Sequence, residues 1–321
     1  MRFCYQIHSH RSGEQVHRLV SSIKQYSPDS FVLISHDRNG ATLDVASLEA
    51  MPDVAVLFHD AACGSYTSVQ RYISSLDWMV SEGVQADWVA NLSGEDYPVM
   101  PTDLSEQEVL ASGKDGFMEH WRMRGPDAHW PERRVISRYH YQHHLVRPLS
   151  AKAKQRLRPI QAINRVQPFF RVHVAYGLVV GRPGDVPFGP DFELWGGSNF
   201  ATLAWPLAAY VREYLAARPE LVEYFRHVLT PDEMVVKTVL CNSAEFRSGE
   251  WQIDDDCKRY FDFSKSKLNH PKWLGAEDLP AMFSSGAHFA RKFDWDRSGP
   301  VLDELDRHMA ELSTDGRASR T

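Results

Sequence analysis

The stretch "WVANLSGEDYPVM" (88–100) decides how this chain is read. Its first six residues form a short apolar run, of strand length and composition. The next five, Gly94 to Pro98, are turn punctuation carrying two carboxylates, Glu95 and Asp96. The same unit recurs upstream. "FCYQI" (3–7), "SFVLIS" (30–35) and "VAVLF" (54–58) each read as a strand. Helical spacing appears between them: Val16, Leu19, Val20 and Ile23 share one face, and Val69, Tyr72, Ile73 and Leu76 share another. Strand and helix alternate roughly every 25 to 30 residues, which predicts an α/β fold with a mostly parallel sheet flanked by helices, of nucleotide-binding type. Ligands of such sheets sit beyond the carboxyl ends of the strands. The clusters His36-Asp37-Arg38, Gly64-Ser65-Tyr66 and Gly94-Glu95-Asp96 fall at or near such ends.

The middle changes character. Residues 120–173 are rich in His, Arg and Trp and only weakly periodic, a long functional loop region with short helices rather than a separate domain. "VAYGLVV" (174–180) then reads as a strand, and a helix is expected from about Ser198. The expected organisation is one domain over 1–312, with a nucleotide-binding half (1–115) and an acceptor and catalytic half (116–312). The polar residues 313–321, "STDGRASRT", read as a disordered tail.

The 321 residues are 43% hydrophobic and 24% charged, an ordinary globular composition. A net charge of −6 argues against a general nucleic-acid binder. Cys4, Cys63, Cys241 and Cys257 form no C-x-x-C pair, which gives neither a zinc site nor a disulfide scaffold. No run approaches a membrane span, and the N-terminus lacks a signal-peptide pattern. A reduced cytoplasmic protein is the expectation, with peripheral contact at the inner membrane left open.

The chemistry turns on "LTPDEMVVKTVL" (229–240). Thr230 and Glu233 match a capping box, with Pro231 at the first helical position. On that reading Glu233 folds back onto the Thr230 amide. On the other, Glu233 is a general base at the mouth of a cleft. There is no P-loop and no G-x-G-x-x-G, so a phosphate ligand would be held by cationic side chains or helix N-termini. His140, His143 and His144 invite a metal, but no H-E-x-x-H or third carboxylate ligand accompanies them. Asp254-Asp255-Asp256 reads as a solvated acidic turn, and Lys152, Lys154, Arg156 and Arg158 as a solvated face.

Several stretches together resemble the core-2/I-branching glycosyltransferases, which include the protein O-xylosyltransferases. "ANLSGEDYPVM" (90–100) is similar to the family's Asn-Leu-Ser-Gly-x-Asp-Tyr-Pro signature. "ISHDR" (34–38) resembles its His-Val-Asp-Lys. "CGSYTSVQR" (63–71) resembles its Trp-Gly-Gly-x-Ser segment, with Cys63 in place of tryptophan. "WGGSNFATL" (195–203), "TPDEMVVKTVLCNS" (230–243) and the closing "KRYFDFS…HPKWL…SSGAHFARKF" (258–293) follow in family order.

The resemblance implies a GT-A-like fold and inverting, metal-independent transfer of a sugar from a UDP donor, forming a β-linkage. N-acetylglucosamine is the favoured sugar and xylose the next. No cofactor is implied. The acceptor would be a saccharide, glycolipid, small molecule or protein. Glu233 takes the role of general base, Lys292 offsets charge on the leaving diphosphate, and Arg291 assists. His36 and Asp37 are placed for uridine or ribose. Glu95, Asp96, Gly197 and Ser198 lie near the donor. The animal enzymes carry a further diphosphate-contacting arginine upstream of that lysine. Here the region reads "SKLNHPKW", leaving Lys272, Lys267 or Arg259 as substitutes. The animal enzymes are also membrane-anchored and disulfide-rich, so this chain looks like a bacterial cytoplasmic relative. The alternative is a non-catalytic UDP-sugar or glycan-binding protein on the same fold.

Overall fold

Side-chain alternation along the first strands sets up the layers. In β1 (Phe3–Ser9), Phe3, Tyr5 and Ile7 join the core on one face and Cys4 joins the core on the other. β2 (Phe31–Asp37) divides the same way, with Val32 and Ile34 opposite Leu33. A strand that is apolar on both faces must be covered on both. α1 (Gly13–Tyr26) covers the first face with the predicted Val16, Leu19, Val20 and Ile23, all buried. Ser12 caps it, accepting from the Gln15 N–H at 3.2 Å. α3 (Thr67–Ser81) covers the second with Val69, Tyr72, Ile73 and Leu76. Full burial of each such side chain stabilises by about 2 kcal/mol.

The computed structural model describes residues 1–61, 64–126, 128–264 and 270–318. β3 (Val54–His59) and β4 (Trp88–Ser93) complete a parallel set, and the short α2 (Val45–Glu49) precedes β3. On the other side of β4 the sheet is extended by β6 (Gly116–Phe117), β12 (Thr202–Ala204) and β13 (Ile253–Asp254), giving the order β13-β6-β12-β4-β1-β2-β3. This is the expected GT-A-like α/β architecture, mostly parallel and flanked by helices. A small sheet joins β5 (Asp96–Pro98), β14 (Arg259–Phe261) and β15 (Phe289–Arg291), and sets Arg291 opposite Asp96. β7 (Trp121–Arg122) pairs with β11 (Trp195–Gly196).

The middle is more ordered than its composition predicts. After α4 (Thr102–Ala111) and α5 (Glu132–Tyr139), the chain builds an antiparallel sheet of β8 (Tyr141–Arg147), β9 (Arg171–His173) and β10 (Leu178–Pro183). α6 (Ala151–Leu157) and a 3-10 segment, Arg158–Arg165, span the β8–β9 connection. The single strand expected at 174–180 is instead a turn feeding β10, because Gly177 adopts φ +116°. The helix expected from Ser198 starts later, as α7 (Trp205–Ala216). Pro206 sits in its first turn and disfavours helix upstream, so 202–204 pairs with β4 instead. α8 (Pro219–Arg226), α9 (Val235–Cys241), α10 (Ala244–Ser248) and α11 (Leu279–Ser284) follow. The last helix, α12 (Trp295–Ala318), runs past residue 313, where a disordered tail is expected. Extending a formed helix adds a bond per residue with no new nucleation cost, which offsets the polar sequence. Among the described residues no helix is long and apolar enough to cross a membrane.

Candidate active site

The capping box does not form. Thr230 takes a left-handed conformation, φ +52°, and its side chain makes no cap bond to the 3-10 turn Pro231–Glu233 that follows. Its amide is already used, donating to the Gly64 carbonyl at 3.0 Å. Glu233 is therefore free of the Thr230 amide, and its side chain is 32% exposed. Arg138, at the end of α5, donates through Nη1 to Glu233 Oε2 at 3.0 Å and to Thr230 Oγ1 at 2.8 Å. Arg138 in turn lies over the Trp130 ring. A carboxylate held on one oxygen keeps its remaining lone pairs for an incoming hydroxyl. The Glu233 carbonyl accepts from the Gly197 N–H at 2.9 Å, which locks the turn against the β11–β12 connection. Only glycine fits at 197, since a Cβ there would lie 1.9 Å from the Glu119 carbonyl oxygen. Ser198 donates its N–H to Glu119 Oε2 at 3.2 Å.

The cations meet at the ends of β1 and β15. Lys292 Nζ stands 4.0 Å from the Trp273 ring centroid, and among the described residues no carboxylate lies within ion-pair distance of it. Burial lowers its pKa, with Glu95 opposing. Arg291 is clamped by Glu95 and Asp96, both at 3.3 Å, and lies over Phe200. Arg11 joins from the β1–α1 loop, 3.4 Å from Glu95 and 5.4 Å from the Trp273 ring centroid. A cavity of about 420 Å³ opens here, lined by Ser9, His10, Arg11, Glu95, Trp273 and Asp294 among others. It lies beyond the carboxyl end of β1, where sheets of this kind bind ligands. At His270 burial first, then the charges of Lys292 and Arg291, lower the pKa, while Glu95 and Glu233 oppose.

Beside Glu233 lies a second, narrow cavity of about 30 Å³, lined by His8, Asn91, Asn199, Asp232 and Lys237 among others. Lys237 is fully buried. Among the described residues its Nζ, Asp232 Oδ1, Asn91 Oδ1 and His8 Nε2 have no hydrogen-bond partner. Burial pushes the Lys237 ammonium down to about 8, with Cys257, Asp232 and Glu119 opposing. Burial, reinforced by Glu233, pushes Asp232 up to about 7. Burial and Arg71 push His8 down to about 3.

Several sequence-predicted residues have other work. His36 is buried with both ring nitrogens engaged, Nδ1 with Ser9 Oγ and Nε2 with the Ala41 carbonyl, both at 2.7 Å. It shapes the strand end and offers no nitrogen to a nucleotide. Asp37 Oδ1 accepts from the Asn39 N–H, closing the turn after β2. Asp96 is fully buried and orients Arg291, and desolvation raises its pKa against the pull of Arg291 and Arg259. Glu95 also serves the arginines. Lys272 is committed to Asp262 and Asp278, at 3.0 and 2.6 Å. Arg259 is buried over Phe289 and donates to backbone carbonyls. Lys267 and Cys63 lie outside the described residues.

The histidines do not cluster: His140 ends α5 and accepts from Arg124, while His143 and His144 lie on β8. Among the described residues no group of three or more His, Cys, Asp and Glu could hold a metal ion. Asp255 accepts from the His120 N–H and Asp256 pairs with Lys258. Sequence reasoning missed Arg138, Lys237 and Arg11. Arg11 alone left a signal, as a cation just past the first strand.

A family model described as Core-2/I-Branching enzyme matches residues 3–284. Beta-glucuronosyltransferase GlcAT14A of Arabidopsis thaliana is 27% identical over 252 residues, covering 76% of this chain and 47% of that protein. GlcAT14B of the same plant is 25% identical over 252 residues, covering 76% and 48%. This chain spans about half the length of the curated relatives it matches. A solved nucleoside-diphosphate-sugar pyrophosphorylase from Vibrio cholerae RC9 aligns over 78% of this chain and 89% of its own, with TM-score 0.33 and 12% identity, too low to bear on the fold.

Proposed function

This chain belongs to the core-2/I-branching enzyme family, and we propose that it is a glycosyltransferase, inverting and metal-independent, that uses a UDP-sugar. The observation that carries this reading is Glu233, released from capping, 32% exposed and held on one carboxylate oxygen by Arg138. Glu233 takes the proton of an acceptor hydroxyl as its oxygen attacks the anomeric carbon. The bond from that carbon to the diphosphate oxygen breaks, its electron pair leaves with UDP, and the configuration inverts. Lys292, Arg291 and Arg11 balance the charge that grows on the leaving oxygen, as cationic clamps do in phosphoryl chemistry. Lys292 needs no partner displaced to do so.

For the sugar, the motifs suggest N-acetylglucosamine or xylose, while the relatives are named for glucuronate. The unpaired Lys237 ammonium beside the Gly197 turn favours a donor with a short anionic group.

The test is turnover of purified protein with UDP-glucuronate, UDP-N-acetylglucosamine and UDP-xylose, each with an acceptor panel and excess chelator. Glu233→Gln should lose transfer by a factor on the order of 10² to 10⁴ while still binding UDP. Lys292→Ala should weaken UDP binding as well. Full activity in Glu233→Gln would end this assignment. UDP binding without turnover under any acceptor would make the chain a binding protein instead.

A further inference from the structure

Charge is distributed very unevenly along this acidic chain. Between Glu132 and Asp185 there is no Asp or Glu, against eleven Lys and Arg. The segment contains β8, α6, the 3-10 turn and β9, which form one lobe beside the catalytic cleft. Among the described residues, Lys152, Lys154, Arg156, Arg158 and Arg165 make no ion pair with any carboxylate. α6 buries no residue, and neither does the 3-10 turn.

The same lobe exposes large apolar side chains. Val166 is 82% exposed and Phe169 76%, and Leu145, Val146 and Ile160 are also exposed. Hydrophobic residues scattered singly on a surface are normal. Five of them within one lobe, interleaved with unpaired cations, are a different pattern. Cations alone would suit any polyanion. Cations mixed with aliphatic and aromatic side chains match the boundary of an anionic bilayer, where headgroups take the charge and the upper acyl region takes the apolar groups.

We propose that the 145–169 lobe docks this enzyme on an anionic lipid surface, with Lys152, Lys154 and Arg156 at the headgroups and Val166 and Phe169 in the interface. The lobe is tied to the site at two places. α5, which leads into β8, delivers Arg138 to Glu233, and the His143 N–H donates to the His227 carbonyl just ahead of the 229–233 segment. Docking would therefore hold the acceptor side of the cleft close to the bilayer, which suits an acceptor borne on a lipid. That consequence rests on the catalytic reading above. The docking does not.

The test is co-sedimentation of the full chain with vesicles of phosphatidylcholine alone or with about 30% phosphatidylglycerol, at low and high salt. UDP binding is measured in parallel, so that failure of docking and failure of the catalytic reading are separate results. Binding is expected only to the anionic vesicles. Replacing Lys152, Lys154 and Arg156 together by Ala should weaken it on the order of a hundredfold, roughly fivefold per cation. Val166→Ser with Phe169→Ser should weaken it about tenfold without changing net charge. Lys152, Arg156, Val166 and Phe169 are exposed and Lys154 is only half-buried, so all variants should keep the native circular dichroism. Equal binding to neutral vesicles, or no binding to anionic ones, would overturn the proposal. So would full competition by soluble heparin together with indifference to the Val166 and Phe169 changes, which would mark a soluble polyanion site.

Discussion

Lys237→Met tests the reading of the narrow cavity most sharply. Methionine matches the length of the lysine stem and removes only the charge. The ammonium falls from 10.5 in the unfolded chain to about 8 in the fold, chiefly through burial. A gap of about 2.5 in pKa corresponds to about 3 kcal/mol against the charged folded form. Between pH 8 and 10.5 the unfolded state binds more protons than the folded one, so wild-type stability rises with pH across that window and is lost as pH falls through 8. Below pH 8 the full cost remains. Lys237→Met should therefore stabilise by about 3 kcal/mol at pH 7, and by only about 1 kcal/mol at pH 9.5. Urea denaturation at both pH values measures this, with an unchanged m-value showing that the same surface unfolds. The same variant should discriminate less well between UDP-glucuronate and its neutral counterparts. A loss of stability at pH 7, or an equal gain at both pH values, would show that Lys237 is balanced inside the fold, and the cavity would lose its claim on a ligand.

Other expectations follow from the same geometry. Arg138→Ala should lower kcat more than it raises KM, by roughly 10- to 100-fold, because it frees Glu233 and Thr230 together; steady-state kinetics with partial rescue by Lys would check it. Thr230→Gly should change stability by less than about 1 kcal/mol, since relief of the left-handed strain offsets the lost Arg138 bond. Thr230→Val keeps the strain and loses the bond, so urea midpoints should place it about 2 kcal/mol below wild type. Arg11→Ala should weaken UDP binding several-fold at low salt and little at high salt, since its side chain is 55% exposed; calorimetric titration at two ionic strengths would read this.

How much of this was legible in the sequence depends on the range of the interaction involved. The parallel strands and the buried faces of α1 and α3 were readable, because period-2 and period-3.6 patterns are local. The capping box was a local signal overruled from outside: the Thr230 amide is taken by Gly64, which no spacing rule sees. The helix expected from Ser198 starts only at Trp205, because 202–204 is taken by pairing with β4, a long-range contact that local spacing does not carry. Arg138 stands 95 residues before Glu233, so their pairing exists only once the lobe has folded back. Nothing in the local pattern around Lys237 marks it, and only the packing shows a buried ammonium without a hydrogen-bond partner.

The strand order has a consequence for the integrity of the chain. The first hundred residues supply β1 to β5, yet β4 is flanked by β12 from the second half, and β5 by β15 from near the end. Arg18 of α1 also grips Asp303 and Asp306 of α12, both at 2.6 Å. The exposed α6 connection is an excursion from this weave and carries none of its pairings. A protease nick there would part the polypeptide without parting the molecule. The two pieces would migrate as one in native gel filtration and separate only in denaturant. Neither could assemble the cleft alone, since Glu95 comes from one and Lys292 from the other, so mixing refolded fragments should restore a site that each lacks.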